Sequence, residues 1–387
     1  MTSRSSLAAL AILSLVAACD AGTGPAAGDL QAKPVPVALP LTPEVFADGL
    51  EFPRGFAWAP NGDMYVAEAG TGGTTVTSAE QCAQVVPPVG PYSNGPTSRI
   101  SRIDRDGQLS VFATGFPSDV NQFGLVSGVA DIAFLGNQMY ALMSGGGCDH
   151  GSADVAQGVA RVAPSGDWTI INDLGAFEVS HPTAVIQPGD FEPSGTWYSM
   201  IRSGGSLLAV EPNHGDVVRV DPRTGNITRL VDLSAHEGHW VPTVIAERRG
   251  AYYIANLGVF PVVAGAEKVI RVSRSGEVSD VATGFTTVLG LDFDRSGRLY
   301  VLENSSVSGD GPTPMTGRVI RLDRQGHRDV IVDGLFLPTA MRFGPDGKLY
   351  ISSIGFGPPL PGQILRVTVP GAQDDNQALD MEGELGD

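Results

Sequence analysis

Six short segments of the chain have the same form: an apolar residue, any residue, an arginine and a second apolar residue. Their arginines are Arg102, Arg161, Arg219, Arg271, Arg321 and Arg366, and a turn glycine follows each segment. After the first five segments comes a second β-rich stretch, as in SVFATGFP at 110–117. A strand unit that recurs in this way packs against its own copies, because one unit cannot bury both of its faces alone. The repeat therefore predicts an array of equivalent sheets.

A second repeat precedes the first and sets its period. It is an apolar strand whose equivalent residues are Tyr65, Tyr140, Leu208, Tyr253, Tyr300 and Tyr350, at spacings of 75, 68, 45, 47 and 50 residues. A four-stranded unit of about 45 residues has the period of a propeller blade. We therefore predict an all-β chain, a six-bladed β-propeller with essentially no helix and with insertions in the first two blades. An ordinary β-sandwich does not account for six copies in phase.

The sixth arginine segment has no obvious outer strand after it. The N-terminal stretch EVFADGLEFP at 44–53 resembles outer-strand copies such as DVIVDGLFLP at 329–338. We expect this N-terminal strand to close the last blade, because closure removes the sheet edges that a ring would otherwise leave open. The propeller is accordingly predicted to span residues 43–372.

The two ends of the chain are predicted to lie outside the propeller. An apolar run from Leu7 to Val16 is too short to span a bilayer and suits a signal peptide. Small residues before Cys19 resemble a lipobox, which predicts a lipoprotein signal peptide at 1–18 and a lipidated Cys19; plain secretion is the alternative. Residues 19–42 are expected to form a flexible tether and the acidic residues 373–387 a disordered tail. Either alternative predicts an exported protein of the cell envelope, periplasmic or surface-facing.

Charge and cysteine content narrow the partners and the compartment. A formal net charge of −17 argues against nucleic-acid partners and against an electrostatic attraction to anionic lipid. Contact with the membrane is therefore expected only through the lipid anchor. If Cys19 carries lipid, Cys82 and Cys148 remain, and both fall in predicted loops of neighbouring blades. They are predicted to form a disulfide, with two separate thiols as the alternative.

The loops are unequal on the two faces of the predicted ring. With the strands of each blade named a to d from the channel outward, the a-to-b and c-to-d turns emerge on one face and the b-to-c loops and d-to-a connections on the other. Most a-to-b and c-to-d turns are short, whereas the b-to-c loops are long and irregular. We call the two faces the short-turn face and the loop-rich face. Five of the six histidines fall on the loop-rich face: His150, His181, His214, His236 and His239. Long loops concentrate on the functional face of repeat rings, so this face is the candidate site.

Four oxygen-bearing side chains recur where strand b ends. They are Glu68, Glu211, Asn256 and Glu303, each three residues after the repeat tyrosine or its equivalent. Calcium takes six to eight oxygen ligands, so this set is a candidate metal site at the channel mouth. A ring of solvated carboxylates making hydrogen bonds at strand ends is the alternative, because Met143 and Ser353 occupy the other two positions.

Only the third copy continues as Glu211-Pro212-Asn213-His214-Gly215, and the next connection carries His236 and His239. Imidazoles with a carboxylate suit zinc or general acid-base chemistry, which makes Glu211, His214 and His239 candidate catalytic residues. We further expect ligand contacts from Asn213, His214, His236, His239 and Asn256. The alternative is a tight turn whose backbone Asn213 and His214 satisfy. No helix is expected around His236.

Several stretches resemble the ScyD/ScyE propeller proteins. These are VAEAGTGG (66–73), DFEPSGTWYSM (190–200), AVEPNHGDVVRV (209–220), GHWVPTVIAERRGAYYIANLGVFPV (238–262) and GRLYVLENS (297–305). The resemblance covers nearly the whole chain after the tether. It implies an exported six-bladed propeller of the NHL-repeat and gluconolactonase-like type, without an established reaction. Gluconolactonase-like proteins hold a catalytic calcium with Glu, Asn and Asp at the starts of inner strands. Here these starts are Pro53-Arg54-Gly55, Val241-Pro242-Thr243 and Leu337-Pro338-Thr339, which argues against lactonase activity.

Three functional hypotheses follow. The first is a lipid-anchored binding propeller, expected to be a monomer, whose loop-rich face captures a small molecule, a glycan or a protein. The second is a metal-dependent hydrolase or lyase at the propeller mouth, with calcium or zinc as the metals that suit its side chains. The third is a purely structural envelope protein, which would leave the histidine distribution unexplained.

Overall fold

The computed structural model describes residues 40–323 and 325–372. These residues form six antiparallel sheets, of which five have four strands and the first has a short fifth strand. The strands of blade 1 are β2 (Pro53–Trp58), β3 (Met64–Glu68), β4 (Ser93–Ile103), β5 (Leu109–Val120) and β6 (Val126–Ser127). Those of blade 2 are β7 (Val129–Leu135), β8 (Gln138–Met143), β9 (Gly158–Val162) and β10 (Trp168–Ile170), and those of blade 3 are β11 (Ser199–Ser203), β12 (Ser206–Glu211), β13 (Asp216–Val220) and β14 (Ile227–Asp232).

Blades 4 to 6 follow the same order. Blade 4 contains β15 (Pro242–Arg248), β16 (Ala251–Asn256), β17 (Glu267–Val272) and β18 (Val278–Phe285), and blade 5 contains β19 (Val288–Phe293), β20 (Leu299–Glu303), β21 (Gly317–Leu322) and β22 (Arg328–Leu335). Blade 6 contains β23 (Ala340–Phe343), β24 (Leu349–Ser353), β25 (Gly362–Val367) and, as its outer strand, β1 (Glu44–Leu50). Each innermost strand contacts that of the next blade, and β23 contacts β2, so the ring is closed. The prediction of a six-bladed propeller is confirmed.

The pairing register of strands b and c explains both sequence repeats. The repeat tyrosine, or Leu208 in blade 3, lies directly opposite the repeat arginine in every blade, as in Tyr65 opposite Arg102 and Tyr350 opposite Arg366. Four of the tyrosines also pack against an aromatic residue of the following blade at ring-centroid distances of 5.7, 4.8, 4.9 and 5.1 Å, in the pairs Tyr65 with Phe134, Tyr253 with Phe293, Tyr300 with Phe343 and Tyr350 with Trp58. The tyrosine therefore joins one blade to the next.

The core consists of six apolar clusters, each shared by two successive blades. The cluster between blades 6 and 1, for example, contains the fully buried Phe56 and Val66 of blade 1 with Ile364 of blade 6. Because both faces of each sheet are covered, the central strands are nearly continuous apolar runs rich in Val, Ile and Leu.

The N-terminal strand closes blade 6, as predicted. In the pairing of β1 with β25, Glu44 lies opposite Arg366 and Leu50 opposite Gly362. The Nε of Arg366 donates a 2.6 Å hydrogen bond to Oε1 of Glu44. The chain thus enters the ring at the short-turn face and runs toward the loop-rich face. Contacts with the ring begin slightly before the predicted boundary, since the N–H of Leu41 donates to the carbonyl of Ile331 at 2.7 Å.

Two short α-helices lie in the connections on the loop-rich face, where essentially none was expected. Helix α1 (Leu174–Ser180) begins after Asp173, whose carboxylate accepts the N–H of Ala176 at 2.7 Å and caps the first turn. Helix α2 (Ser234–Glu237) contains His236, which corrects the expectation of no helix there. Within 40–323 and 325–372, no helix has the length and apolar character needed to cross a membrane.

The predicted signal peptide, the lipidation site Cys19, most of the predicted tether and the acidic tail lie outside the described residues.

Candidate functional site

Two long loops on the loop-rich face are joined covalently. Cys82 in the b-to-c loop of blade 1 and Cys148 in that of blade 2 form a disulfide, with an S–S distance of 2.01 Å and a separation of 66 residues. The hydroxyl of Thr77 also donates a hydrogen bond to the carbonyl of Cys148. The predicted disulfide is confirmed, and it is consistent with an exported protein.

Glu68 and Glu303, at the ends of strand b in blades 1 and 5, each accept hydrogen bonds from an arginine side chain and a backbone N–H group. Glu68 is buried and accepts hydrogen bonds from Nε and Nη2 of Arg99 at 3.0 and 2.8 Å and from the N–H of Glu51 at 2.5 Å. Glu303 is bound in the same way, by Nε of Arg318 at 2.5 Å and by the N–H of Thr286 at 2.9 Å. Burial raises the pKa of Glu303 against the opposing effect of Arg318.

Asn256 and Glu211 occupy the equivalent positions of blades 4 and 3. Asn256 donates to the carbonyl of Trp240 at 3.0 Å, and Glu211 accepts the N–H of Thr196 at 2.8 Å. In all four blades the side chain therefore ties the incoming d-to-a connection to the end of strand b. None of these contacts joins two of the four predicted ligands.

The metal assignment of these four residues remains a prediction. In the part of the chain that the structure describes, no three His, Cys, Asp or Glu side chains are grouped so that they could hold a metal ion.

His214 belongs to a buried cluster of charged groups, which we call the acid cluster: Glu178, Glu211, His214, Asp216 and Arg229. Nδ1 of His214 lies 3.4 Å from Oε2 of Glu211 and 3.8 Å from Oε1 of Glu178. Nε of Arg229 contacts Oδ2 of Asp216 at 2.7 Å, and its Nη2 lies 3.8 Å from Glu178. Helix α1 contributes Glu178, and blade 3 contributes Asp216 and Arg229. The cluster therefore places Glu178 of α1 against charged groups of blade 3.

Burial and the close approach of carboxylates in the acid cluster change the protonation of Glu178 and Asp216. Burial, together with the charges of Glu211 and Asp216, raises the pKa of Glu178 to about 9. Burial likewise raises the pKa of Asp216 to about 7, although Arg229 opposes the shift. Burial disfavours the charged form of His214, but the carboxylate of Glu211 outweighs it and raises the pKa of His214 to about 9. His214 is therefore a cation at neutral pH.

A neighbouring pair contains the third candidate catalytic residue. Nδ1 of His239 lies 2.8 Å from Oδ1 of Asp190, and its ring covers Gly189, where an added Cβ would come within 2.6 Å of the imidazole. Asn213 donates from Nδ2 to the carbonyl of Gly189 at 3.3 Å. The structure thus brings Asn213, His214 and His239 to one region of the loop-rich face. His236 is exposed on α2, and Asn256 is buried at the end of β16.

A second buried network was not identified from the sequence. Nδ1 of the fully buried His150 lies 2.6 Å from Oδ2 of Asp119, and its ring stacks on Tyr92 at 4.5 Å. The hydroxyl of Tyr92 donates to Oε1 of Glu192 at 2.6 Å. Burial opposes the charge of His150, but Asp119 outweighs it and raises its pKa to about 10. The network links loops of blades 1, 2 and 3. The only sequence signal was the presence of His150 in an inserted loop.

Apolar side chains are exposed mainly on the loop-rich face. Among the described residues, three of the exposed large apolar side chains, Val45, Val111 and Val281, lie on outer strands. The other thirteen lie in b-to-c loops and d-to-a connections: Val76, Val86, Phe123, Val179, Val185, Ile186, Phe191, Val259, Phe260, Val263, Val307, Met315 and Leu360. Single exposed apolar side chains are normal on a protein surface, whereas groups of them that lie together are typical of interaction sites.

Five of these residues form a surface that we call the apolar ridge: Val259, Phe260 and Val263 of the blade 4 loop, with Val307 and Met315 of the blade 5 loop. They are 39% to 62% exposed. The two loops are joined by a β-bridge, in which Val262 N–H donates to the Gly309 carbonyl at 2.7 Å and Gly309 N–H donates back at 3.2 Å. The backbone beneath the ridge is therefore held by the protein itself.

A cavity opens at the short-turn end of the channel, opposite the end where the metal site is predicted. This mouth cavity has a volume of about 680 Å³ and is lined by the ends of the six innermost strands and the turns after them. Its charged lining residues are Arg202, Glu247, Asp292 and Arg342, and none of them was a predicted site residue. Burial raises the pKa of Asp292 to about 6, although the N–H groups of Phe343 and Phe293 donate to its carboxylate.

Arg342 lines the mouth cavity and also binds a residue of another blade. Its Nη2 contacts both carboxylate oxygens of Asp131, at 2.9 and 2.7 Å, and also donates to the carbonyl of Met200 at 3.3 Å. Gly55 leaves room for this contact, since a Cβ there would lie 2.0 Å from Oδ1 of Asp131. The contact thus joins blade 6 directly to blade 2.

The chain matches no protein-family model and no curated protein sequence. Its structure is similar to that of a calcium-binding protein, regucalcin, from Agrobacterium tumefaciens, with 13% identity over 86% of this chain and 95% of the other and a TM-score of 0.53. It is also similar to a protein of unknown function from Bacteroides thetaiotaomicron, with 13% identity over 83% of this chain and 70% of the other and a TM-score of 0.53.

A third similar structure comes from Thermus thermophilus and is provisionally described as an oxidoreductase (glucose dehydrogenase). The identity is 16% over 85% of this chain and all of the other, with a TM-score of 0.50. At such identities the likeness extends to the fold alone. The closed ring, the blade register and these neighbours together establish that the chain is a six-bladed β-propeller.

Proposed function

We propose that this protein is an exported, lipid-anchored propeller of the ScyD/ScyE type that binds a protein partner on its loop-rich face. The observation that carries this proposal is the concentration of exposed apolar side chains there, and above all the apolar ridge. Aromatic residues and methionine are enriched at the centres of protein interfaces, and charged residues are depleted. The paired loops present Phe260 and Met315 on a backbone that is already ordered, which lowers the entropic cost of binding.

The hydrolase or lyase hypothesis receives no comparable support. As a general base, His214 would have to accept a proton, which needs the neutral imidazole. The carboxylate of Glu211 instead favours the protonated ring of His214. The acid cluster supports a structural role in holding α1 against blade 3.

The test places a photo-crosslinking amino acid at Val307 in the full chain, expressed in its own envelope. We expect one discrete crosslinked protein, lost when Val263→Asp is added. Val281→Asp is the matched control, because Val281, like Val263, is an exposed valine of blade 4 but lies on the outer strand β18. An equal crosslink in the Val263→Asp protein, or none in the wild type, would contradict a ridge-bound protein partner. A small molecule or glycan would then be the occupant to seek.

A further inference from the structure

Each innermost strand has two positions that recur from blade to blade. The residues that break this repeat with a charge all line the mouth cavity. The residue opposite the repeat tyrosine, or opposite Leu208 in blade 3, is apolar in blades 1 to 4 and charged in the last two; going round the ring it is Ala57, Ala133, Ile201, Ala246, Asp292 and Arg342. The next residue is aromatic in four blades, where it packs on a repeat tyrosine, but it is Arg202 in blade 3 and Glu247 in blade 4. All four charged departures line the same cavity.

Two of these four charged residues, Arg202 and Glu247, have no role in packing the ring. Arg342 is held by Asp131, and the Asp292 carboxylate accepts the N–H groups of Phe293 and Phe343, both at 2.7 Å. Arg202 and Glu247, by contrast, are exposed, and neither has an ion pair within the described ranges. In four other blades this position strengthens the contact between blades. Replacing an aromatic residue by a charged one therefore gives up packing that the fold uses elsewhere.

The arrangement suits a ligand with two opposite charges and an apolar body. Arg202 offers a planar guanidinium that can bind a carboxylate through two parallel hydrogen bonds. Glu247 in the next blade and Asp292 in the one after it can accept hydrogen bonds from an ammonium group. Between them, Ile201, Ile245 and Leu291 form an apolar wall. The volume of about 680 Å³ lies within the range of small-molecule sites.

We propose that the mouth cavity binds a small zwitterion, an amino acid or short peptide, with its carboxylate at Arg202 and its ammonium group at Glu247 and Asp292. This site lies on the opposite face from the apolar ridge and does not depend on the function proposed for that face.

The test uses four probes with related apolar bodies on the full chain in detergent, with affinity measured by ligand-observed NMR and calorimetry. L-phenylalanine and the dipeptide Phe-Leu carry both charges, phenethylamine carries only the amine and 3-phenylpropanoate only the carboxylate. We expect at least one zwitterion to bind about tenfold more tightly than either singly charged probe, since each charge-assisted contact contributes separately. Equal affinities, or no binding of either zwitterion at about 10 mM, would overturn the proposal.

Charge-removing variants identify the two ends of the ligand. Arg202→Ala should weaken the zwitterion and 3-phenylpropanoate but leave phenethylamine unchanged, and Glu247→Ala should weaken the zwitterion and phenethylamine only. Arg223→Ala and Glu277→Ala are the matched controls, because both are exposed residues in c-to-d turns of the same face outside the cavity. A loss shared by the controls, or the same loss for all probes, would contradict the assigned orientation. Because Arg202 and Glu247 are exposed, we expect the variants to fold, and a melting curve checks this.

Discussion

Arg342 of blade 6 binds Asp131 of blade 2 across the channel, with Nη2 at 2.9 and 2.7 Å from the two carboxylate oxygens. The two residues are 211 positions apart in the chain, and blade 1 lies between their blades. Removing one partner of a buried ion pair leaves the other charge uncompensated. We expect Asp131→Ala to lower the free energy of unfolding by about 3 kcal/mol in urea titrations.

The paired replacement tests whether the loss comes from that uncompensated charge. Asp131→Leu combined with Arg342→Met should be less destabilised than the sum of the two single variants. Additive losses would mean that the two side chains act independently.

Gly55 provides the space for that contact. An added methyl group would overlap Oδ1 of Asp131 at 2.0 Å, so Gly55→Ala should displace the carboxylate and destabilise the ring by about 2 kcal/mol. Gly205→Ala is the control, because a Cβ added there would meet no heavy atom within 4 Å. Unfolding curves of the two variants should differ; a harmless Gly55→Ala would show that Asp131 can move without cost.

The disulfide should stabilise the loop-rich face mainly through the unfolded chain. Cys82 and Cys148 are separated by 66 residues, for which the loop-entropy relation gives roughly 4 kcal/mol. We expect the Cys82→Ser, Cys148→Ser double variant to unfold at lower denaturant concentration than the oxidised protein. Reduction of the wild type with dithiothreitol should reproduce its curve. Identical oxidised and reduced curves would show that the bond contributes nothing.

Stability should fall as the pH rises above neutrality. Glu178 has a folded pKa of about 9 against an unfolded value of 4.5, and His150 about 10 against 6.5. Between these values the folded protein retains protons that the unfolded chain has lost, so stability present at low pH is lost as pH increases. Each group adds a slope of up to about 1.4 kcal/mol per pH unit.

Glu178→Gln isolates one of these groups, because glutamine resembles the protonated acid. We expect the variant to match the wild type at pH 5 and to exceed it at pH 8, measured as the free energy of unfolding in guanidinium. His327→Gln, an exposed histidine in a turn of the other face, serves as control. A parallel decline of Glu178→Gln and wild type would mean that Glu178 ionises normally.

The anchor is tested at Cys19. Cys19→Ser should release the exported protein from the membrane fraction into the soluble fraction without changing its melting temperature, because lipid supplies the membrane affinity and not the fold. Retention of the variant in the membrane fraction would contradict a lipid anchor at this residue.

Local sequence predicted the architecture well because each blade repeats the same short-range pattern. The tyrosine and arginine repeats are cross-strand partners in the structure, so their phase marked the register directly. Closure by residues 44–50 was predictable since that stretch copies the other outer strands. The helices were missed because α1 has only seven residues and its cap, Asp173, is followed by no long amphipathic pattern.

The contacts around the sites could not be predicted as well from the sequence, because they join segments that are distant in the chain. Glu178 reaches His214 only through the packing of α1, which was not predicted. The four charged residues of the mouth cavity did carry a sequence signal, namely their departure from the inner-strand repeat. That signal appears only once each inner strand is aligned with its neighbour. Irregularities such as the register shift of β2 against β3 between Pro53 and Phe56 obscure the alignment.

The closing strand also determines how the ring would respond to mechanical load. β1 runs antiparallel to β25 from Glu44 at the short-turn face to Leu50 at the loop-rich face. A pull on the chain ahead of Glu44, along the strand and away from the ring, therefore loads all the hydrogen bonds of this pair together in shear. The same strand pulled sideways would lose them one after another. A propeller held by its N-terminus should thus resist axial tension far better than lateral peeling.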